Sequence, residues 1–264
     1  MFRVFLAEAR KLRRPTLSIS TLLAVSGFAA LFTSIVYLRL NSGQPNTKRG
    51  EIITAAELSN AHGMVYGFKL VSFFLGITAL CVFASQTAQE YSHGTLRNLL
   101  VRQPSRLKIL LGKFLAMNAF AVILVIWTGA VSIALSFALS GKGKVNTHLW
   151  ASSTGIQFLG QTTLNILLAT IGFGALGMIL GLLFRSPITS IAVGVLWLLI
   201  LETILGAALS STQPWLPGQN IANIAEGGGT QGVSYIHSMG MSALYLGVGL
   251  AIVSFLFKRR DVAN

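Results

Sequence analysis

Six long apolar runs, separated by short polar segments, dominate the chain. They lie near positions 17–38, 70–88, 114–139, 156–184, 188–210 and 238–257. A helix needs about 20 apolar residues to cross a bilayer, and each run is close to or above that length. No run alternates apolar and polar residues with a period of two, which disfavours a β-barrel. Because lipid offers no hydrogen-bond partner to free backbone groups, we expect six membrane-spanning α-helices.

A basic segment, 2–14, precedes the first run. Its apolar side chains fall on one helical face: Phe2, Phe5, Leu6, Ala9 and Leu12. Arginine and lysine cover the rest, which predicts an amphipathic helix lying in the membrane interface and ended by Pro15. A basic anchor that only sets topology is an alternative compatible with this one. The segment is too charged for a cleaved signal peptide.

The composition agrees with a membrane protein. Of 264 residues, 53% are apolar and only 10% are charged, whereas a soluble domain carries about 25% charged residues. This excludes a cytosolic globule and a disordered chain, and the lone Cys81 excludes a disulfide scaffold. The expected fold class is therefore all-α, a single polytopic transmembrane domain over 1–264.

The charge distribution predicts the orientation. The chain has 20 Lys and Arg against 7 Asp and Glu, a net charge of +13. Fourteen basic residues fall on the side that carries both termini and six on the other. The positive-inside rule then puts both termini in the cytoplasm, with the chain multi-pass in the plasma or inner membrane. Topology and attraction to anionic membrane lipid explain this charge better than nucleic acid does.

Three loops have readable features. The sequence Thr54-Ala-Ala-Glu57 has the form of a capping box, so a short external helix is expected there. The loop 140–155 is interpreted as a plain connector. Segment 211–237 is apolar but broken by prolines and glycines, which indicates short re-entrant or interfacial helices on the external side. A floppy external loop is the alternative.

The loop 90–106 between the second and third runs is the largest on the cytoplasmic side. The preceding helix ends in polar residues and is expected to continue beyond the lipid until Gly94 permits a bend. Thr95 could then cap a second short helix, with Leu96, Leu99 and Leu100 on one face. Such a face is either a docking surface for another protein or a segment resting on lipid headgroups.

Polar side chains inside the runs form a second group of candidates. Glu202 is the only acid deep in a run, and Lys69 lies at a compatible depth, so the two could pair. Gln157, Gln161 and Asn165 are spaced i, i+4, i+8 at the external end of the fourth run. These residues indicate either a polar pathway in the outer leaflet or hydrogen bonds that only fix helix packing.

Several kinds of chemistry have no sequence motif here. Gly112-Lys113 is followed by Phe114 rather than Ser or Thr, so the chain contains no phosphate-binding loop. The string from Gly172 to Gly177 fits a dinucleotide fingerprint but lies within an apolar run and follows no strand. We interpret it as a face for close helix packing. The four histidines are scattered over loops, so no metal site is expected.

The order of these features resembles a type-2 ABC transporter permease of the antibiotic- and bacitracin-export class. A basic amphipathic helix precedes six spans, and the chain ends in a basic tail that begins Phe257-Lys258. The loop motif comprises Glu90, Gly94, Thr95, Leu96, Pro104, Arg106, Gly112 and Lys113. The resemblance covers nearly the whole chain.

The resemblance implies an ATP-driven exporter whose permease subunits work as a dimer. Segment 2–14 would be the elbow helix. The coupling helix that docks on a separate ATPase subunit would comprise Glu90, His93, Gly94, Thr95, Leu96, Arg97, Leu99 and Leu100. The expected partners are this ATPase, a second permease copy or homologue, and membrane lipid. ATP and Mg would bind the ATPase, so this chain itself would need no cofactor and would not be an enzyme.

The sequence leaves the cargo open among drugs, peptide antibiotics and lipids. Two other functions stay as alternatives. An intramembrane enzyme would use Glu202 or the histidines, although no acid–histidine cluster lies within one run. A passive channel would conduct without nucleotide.

Overall fold

A computed structural model describes residues 2–40, 53–94, 105–229 and 232–259. These residues form helices and turns, with no strand among them. Six helices are long and apolar enough to cross a membrane. The expected fold class, an all-α polytopic membrane protein, is thereby confirmed.

The helices follow the apolar runs but extend beyond them. They are α1 (Phe2–Leu12), α2 (Pro15–Arg39), α3 (Ala55–Leu58), α4 (Tyr66–Ser92), α5 (Arg106–Ser140), α6 (Ser153–Phe184), α7 (Pro187–Ala208), α8 (Pro217–Glu226) and α9 (Tyr235–Arg259). A π-helical turn, Trp197–Leu201, interrupts α7, and a 3₁₀ turn, Ser210–Trp215, precedes α8. The third long helix begins at Arg106, before the expected 114, because its first two turns are helical although the basic residues Arg106, Lys108 and Lys113 interrupt their apolar sequence.

Two of the expected helix ends are confirmed. Helix α4 continues past its apolar part to Ser92, and Gly94 follows with a φ of +65°, a conformation that glycine adopts without strain. Pro15 stands in the first turn of α2, where its missing N–H is not needed. The end of the bundle where α1, the end of α4 and the beginning of α5 meet is called the α1 end below.

Helices α4, α5 and α6 form the centre of the bundle, since more than half of each spanning window is buried, against less than a quarter in α2, α7 and α9. Glycines allow the closest approach. A β-carbon on Gly177 would collide with the carbonyl oxygen of Leu80, and one on Gly181 would lie 2.8 Å from that of Ala84. The Gly172–Gly177 string is thus a packing face, as expected.

At the opposite end, the loops fold into a cap. Thr54 accepts a hydrogen bond from the backbone N–H of Glu57 at 3.2 Å and begins α3, as the capping box predicts. The interpretation of 140–155 as a plain connector is wrong. Trp150 in this loop is fully buried and donates from Nε1 to the carbonyl oxygen of Leu58 at 2.9 Å. Tryptophan combines a large apolar body with one donor, so a single side chain joins the two loops.

The segment between α7 and α9 is re-entrant. Helix α8 is buried along Gly218, Asn220, Ile221, Asn223, Ile224 and Ala225. Gly172 of α6 faces Ile221 closely enough that a β-carbon there would lie 3.2 Å from it. Gly172 lies twelve residues before the end of α6, or about 18 Å along the helix, so α8 reaches the middle of the bundle. The protein covers it there, as backbone at membrane depth requires.

Candidate functional site

Four charged side chains from three helices form a closed ring at the α1 end. Lys113 of α5 lies at its centre and is 2% exposed. Its Nζ is 2.7 Å from Oε2 of Glu8 in α1, 3.0 Å from Oε1 of Glu90 in α4 and 3.1 Å from the carbonyl oxygen of Gln86. All three ammonium protons therefore have an acceptor, as a buried lysine needs.

Lys11 closes the ring from the outer side. Its Nζ is 2.6 Å from Oε1 of Glu8 and 2.7 Å from Oε1 of Glu90. Each carboxylate thus contacts both ammonium groups, and the ring of Glu8, Lys11, Glu90 and Lys113 has no net charge. We call these four residues the charge ring.

The pKa values of the α1 members favour their charged forms. Burial by itself raises the pKa of Glu8, but Lys113 and Lys11 outweigh it and hold this pKa below its usual value. Burial likewise lowers the pKa of Lys11, but hydrogen bonds from its ammonium to Glu8 and Glu90 outweigh it and raise that pKa. Both groups are therefore ionised at neutral pH.

Local sequence positions α1 against α5. Gly112 has no side chain, and a β-carbon there would lie 2.8 Å from Cγ1 of Val4. The backbone of α1 can therefore approach α5 closely enough for Glu8 to reach the residue after this glycine, Lys113. The inward face of α1 includes Glu8 and Leu12, whereas Phe2 is 71% exposed. The expected apolar face is thus divided between the protein and the exterior.

The ring changes the interpretation of the coupling helix. Glu90 is not on an exposed docking face, because it is buried in α4 and bonded to two lysines. His93 and Gly94, which follow α4, are exposed. The other expected members lie outside the described residues: Thr95, Leu96, Arg97, Leu99 and Leu100.

Glu202 forms a second buried polar site, in the half of the bundle away from α1. It is 1% exposed, and its Oε1 accepts from Nε1 of Trp197 and the backbone N–H of Gly218, both at 2.8 Å. Its Oε2 accepts from the N–H of Gln219 at 2.8 Å. The π-helical turn bonds residues five apart and so brings Trp197 and Glu202 to the same face. The carboxylate therefore lies at the positive N-terminus of α8.

The prediction that Lys69 could pair with Glu202 is wrong. Lys69 lies at the other terminus of α8, where its Nζ donates to the carbonyl oxygen of Glu226 at 3.4 Å. Helix α8 thus has an acid at its N-terminus and an ammonium group at its C-terminus, which is the favourable arrangement for the helix dipole at both ends. Sequence depth alone did not reveal that a short helix separates the two charges.

The amide stripe of α6 is also divided. Asn165 is half-buried, and its Oδ1 accepts from the hydroxyl of Tyr235 at 2.9 Å. Gln157 and Gln161 are exposed on the surface of the chain. Of the five intramembrane candidates, Glu202, Lys69 and Asn165 surround α8, and the two glutamines lie apart from them.

Sequence reasoning missed Glu8 and Lys11, the two ring members in α1. One signal for Glu8 was present. This acid lies three residues after Phe5 and four before Leu12, on the apolar face of an amphipathic helix. A buried acid at such a position needs hydrogen-bond donors or a cation, and here it has a cation. The identity of that cation, 105 residues away in sequence, had no local signal.

No group of three or more His, Cys, Asp or Glu in the described ranges is placed to bind a metal ion.

Comparison with known proteins identifies a relative and a family. The chain is similar to an uncharacterized protein of Bacillus subtilis (strain 168), YhcI, with 25% identity over 210 residues. That match covers 72% of this chain and 65% of the relative, so it spans slightly less than two thirds of the relative's length. The model of a family described as "Protein of unknown function (DUF2705)" matches residues 24–263, from within α2 to the end of α9 and beyond. The chain belongs to this DUF2705 family.

Proposed function

We propose that this chain is the membrane subunit of an ATP-driven ABC exporter and works as a dimer with a separate ATPase subunit. One observation carries the proposal. The two helices that flank loop 93–105 are long spans of the bundle centre, and the charge ring fixes both to α1. A force on this loop would therefore act directly on the core of the bundle.

The sequence supports the same function. The loop motif, the basic α1, the re-entrant α8 and the absence of a phosphate-binding loop from the sequence all resemble type-2 ABC permeases. In this arrangement ATP and Mg bind the partner, and the present chain supplies the pathway. The cargo is a drug, a peptide antibiotic or a lipid.

The mechanism is alternating access. Nucleotide binding closes two ATPase subunits, which move loop 93–105 of each permease. Because α4 and α5 continue from this loop into the bundle without a break, the movement reaches the other end as a helix displacement. The ATPase shifts the equilibrium only by binding the loop differently in the two states.

The proposal includes the orientation of the chain in the membrane. The exposed arginines of α1 and of the turn that follows it, Arg3, Arg10, Arg13 and Arg14, surround the α1 end. By the positive-inside rule, this end faces the cytoplasm, where the ATPase and nucleotide are. Anionic lipid would surround the same end.

An intramembrane enzyme has less support. Both oxygens of Glu202 already accept hydrogen bonds, so this carboxylate is occupied in holding α8. A general acid or base instead needs an open position beside the reacting group. The geometry of Glu202 fits a positioning role.

Co-purification from the native membrane tests the proposal. A tagged wild-type chain, extracted in mild detergent, should bring down an ATPase subunit. Leu96→Asp or Leu99→Asp should abolish this while the chain still inserts. The matched control is Leu149→Asp, which places the same charge on an exposed leucine of the loop at the opposite end. Recovery of no ATPase with the wild type contradicts the proposal.

A further inference from the structure

The charge ring joins α1 to both helices that hold loop 93–105. Glu8 and Lys11 belong to α1, Glu90 lies two residues before the end of α4, and Lys113 lies seven residues after the beginning of α5. Helix α1 in turn leads into α2 through Arg13, Arg14 and Pro15. The ring therefore adds, through α1, a second connection between the loop and α2, which also packs directly on α4 and α5.

We propose that the charge ring makes α1 and the base of the α4–α5 hairpin one rigid body, with Lys113 as its positioning residue. Displacement of loop 93–105 is then delivered to α2 as well as to α4 and α5. The inference rests on the proposed function, because it states how movement of that loop spreads through the permease.

Burial and charge explain why these elements move together. Separating α1 from α5 would leave Lys113 without Glu8 and would leave Glu90 without Lys11. The pairs Glu8–Lys11 and Glu90–Lys113 would remain, but each would lose half of its ionic contacts in a site that holds Lys113 and Glu8 at 2% and 3% exposure. The contact of Val4 with Gly112 lies beside the ring and would open at the same time. Relative sliding of α1 is therefore opposed by charge and by packing.

The ring could instead hold the resting fold and take no part in movement. The two roles differ in one observable. If α1 moves with the hairpin, α2 responds to nucleotide through the ring. If the ring is only a static support, α2 responds in the same way with or without it.

A double variant that weakens the ring without changing the net charge separates these roles. It is called the neutral cut below, and it leaves no buried charge unpaired. The double variant Glu8→Gln, Lys11→Met removes both charges of α1 and leaves Glu90 paired with Lys113. The control, Arg10→Gln with Lys108→Met, removes an exposed cation from each of α1 and α5 outside the ring. Each variant is purified as the full complex with its ATPase and placed in nanodiscs.

Hydrogen–deuterium exchange is then compared with and without ATP and vanadate, and ATP hydrolysis is measured on the same samples. The wild type and the control should show nucleotide-dependent exchange in α2. The neutral cut should still hydrolyse ATP and still respond at the α4–α5 base, but its response in α2 should be smaller than that of the wild type, because only the direct packing of α2 on α4 and α5 remains. An unchanged α2 response in the neutral cut overturns the inference while leaving the proposed function intact.

A covalent lock gives an independent readout within one sample. Val4→Cys and Gly112→Cys, in a Cys81→Ala background, place two β-carbons 2.9 Å apart, so a shift of roughly 1 Å between the helices brings them to the spacing of a disulfide. A rigid body tolerates this bond, so ATP hydrolysis should be equal before and after reduction. Hydrolysis that appears only after reduction shows that α1 must slide on α5, and it overturns the inference. A wild-type chain that binds no ATPase removes both the function and the inference.

Discussion

The charge ring and the Glu202 site solve the same problem, a buried carboxylate, with different chemistry. At the α1 end, two carboxylates and two ammonium groups from α1, α4 and α5 neutralise one another. In the other half, Glu202 has no ammonium or guanidinium group among its hydrogen-bond donors in the described residues. It is held by an indole and two backbone N–H groups. The carboxylates of both sites have hydrogen-bond donors. In the charge ring these donors are charged side chains from other helices, whereas at Glu202 they are an indole and backbone N–H groups.

The difference bears on function. Ion pairs between side chains can join elements that have no fixed spacing in sequence, so the charge ring is suited to linking a peripheral helix to the core. A carboxylate on backbone N–H groups instead fixes the terminus of one short helix, α8, at one depth. We therefore associate the ring with the transmission of movement and Glu202 with the placement of a re-entrant element.

Removing the central cation should have the largest effect on stability. Lys113→Met leaves Glu8 and Glu90 buried with only Lys11 beside them. Breaking a buried pair from one side costs about 3–5 kcal/mol, so we expect a loss of this order in the free energy of unfolding. Thermal or denaturant unfolding in detergent measures it. Lys108→Met, on the exposed face of the same helix, should differ little from wild type, and equal losses in both variants would contradict a role for the ring.

Changing Glu202 should have the next largest effect. Glu202→Gln keeps the shape but turns an amide N–H₂ toward at least one of the three donors. Hydrogen bonds to charged groups contribute about 1.5–3 kcal/mol, and we expect a loss near 3 kcal/mol. The matched control is Glu57→Gln, because Glu57 is exposed in the loop at the opposite end. An unfolding curve for Glu202→Gln that overlays the wild type would show that α8 is held by other contacts.

Crowding the contact between α8 and Glu202 should have a smaller effect. A β-carbon on Gly218 would lie 2.7 Å from Oε2 of Glu202 and would collide with Leu198. Overpacking typically costs about 1–3 kcal/mol, so Gly218→Ala should lose roughly 2 kcal/mol. Gly240 of α9 has nothing within 4 Å of its β position, and Gly240→Ala should be neutral in the same unfolding assay. Equal stability of the two variants would mean that α8 can move away from α7 freely.

The smallest expected effect near neutrality is that of pH on the ring. The pKa of Glu8 is held below its unfolded value, so its contribution is complete above the unfolded pKa of about 4.3 and is lost as pH falls through the folded pKa. The pKa of Lys11 is raised, so its contribution is complete below about 10.4 and is lost as pH rises through its folded pKa.

The Tm difference between the wild type and the Glu8→Gln, Lys11→Met variant should therefore stay constant from pH 6 to pH 9. It should shrink below about pH 4.3. A difference that already shrinks at mildly acid pH would indicate that Glu8 is not stabilised by its lysines.

Local patterns were sufficient for the helices and for several of their ends. Apolar length predicted the six spans, Gly94 the bend, Pro15 the boundary between α1 and α2, and Thr54 the cap of α3. Each depends on residues a few positions apart, where sequence and geometry are tightly linked. The broken segment 211–237 likewise predicted re-entrant helices from its prolines and glycines.

Contacts between distant segments were beyond local patterns. Glu90 was expected on a docking face, but Lys113 and Lys11 bury it, and nothing in sequence spacing pairs these residues. Their similar depth along the spans suggested that Lys69 pairs with Glu202, whereas α8 lies between the two side chains. Trp150 was missed because a loop residue becomes part of a buried cluster only when another loop, here at Leu58, meets it.

Site-specific photo-cross-linking tests the central claim most directly, namely that a separate ATPase binds the loop at the α1 end. In one strain a photoreactive amino acid replaces His93, which is exposed immediately after α4. In a second strain it replaces Leu149, which is exposed at the opposite end. Both are cross-linked in native membranes. The account predicts an adduct between this chain and an ATPase subunit from position 93 and none from position 149. Absence of an ATPase adduct from position 93, or equal adducts from both positions, would contradict it.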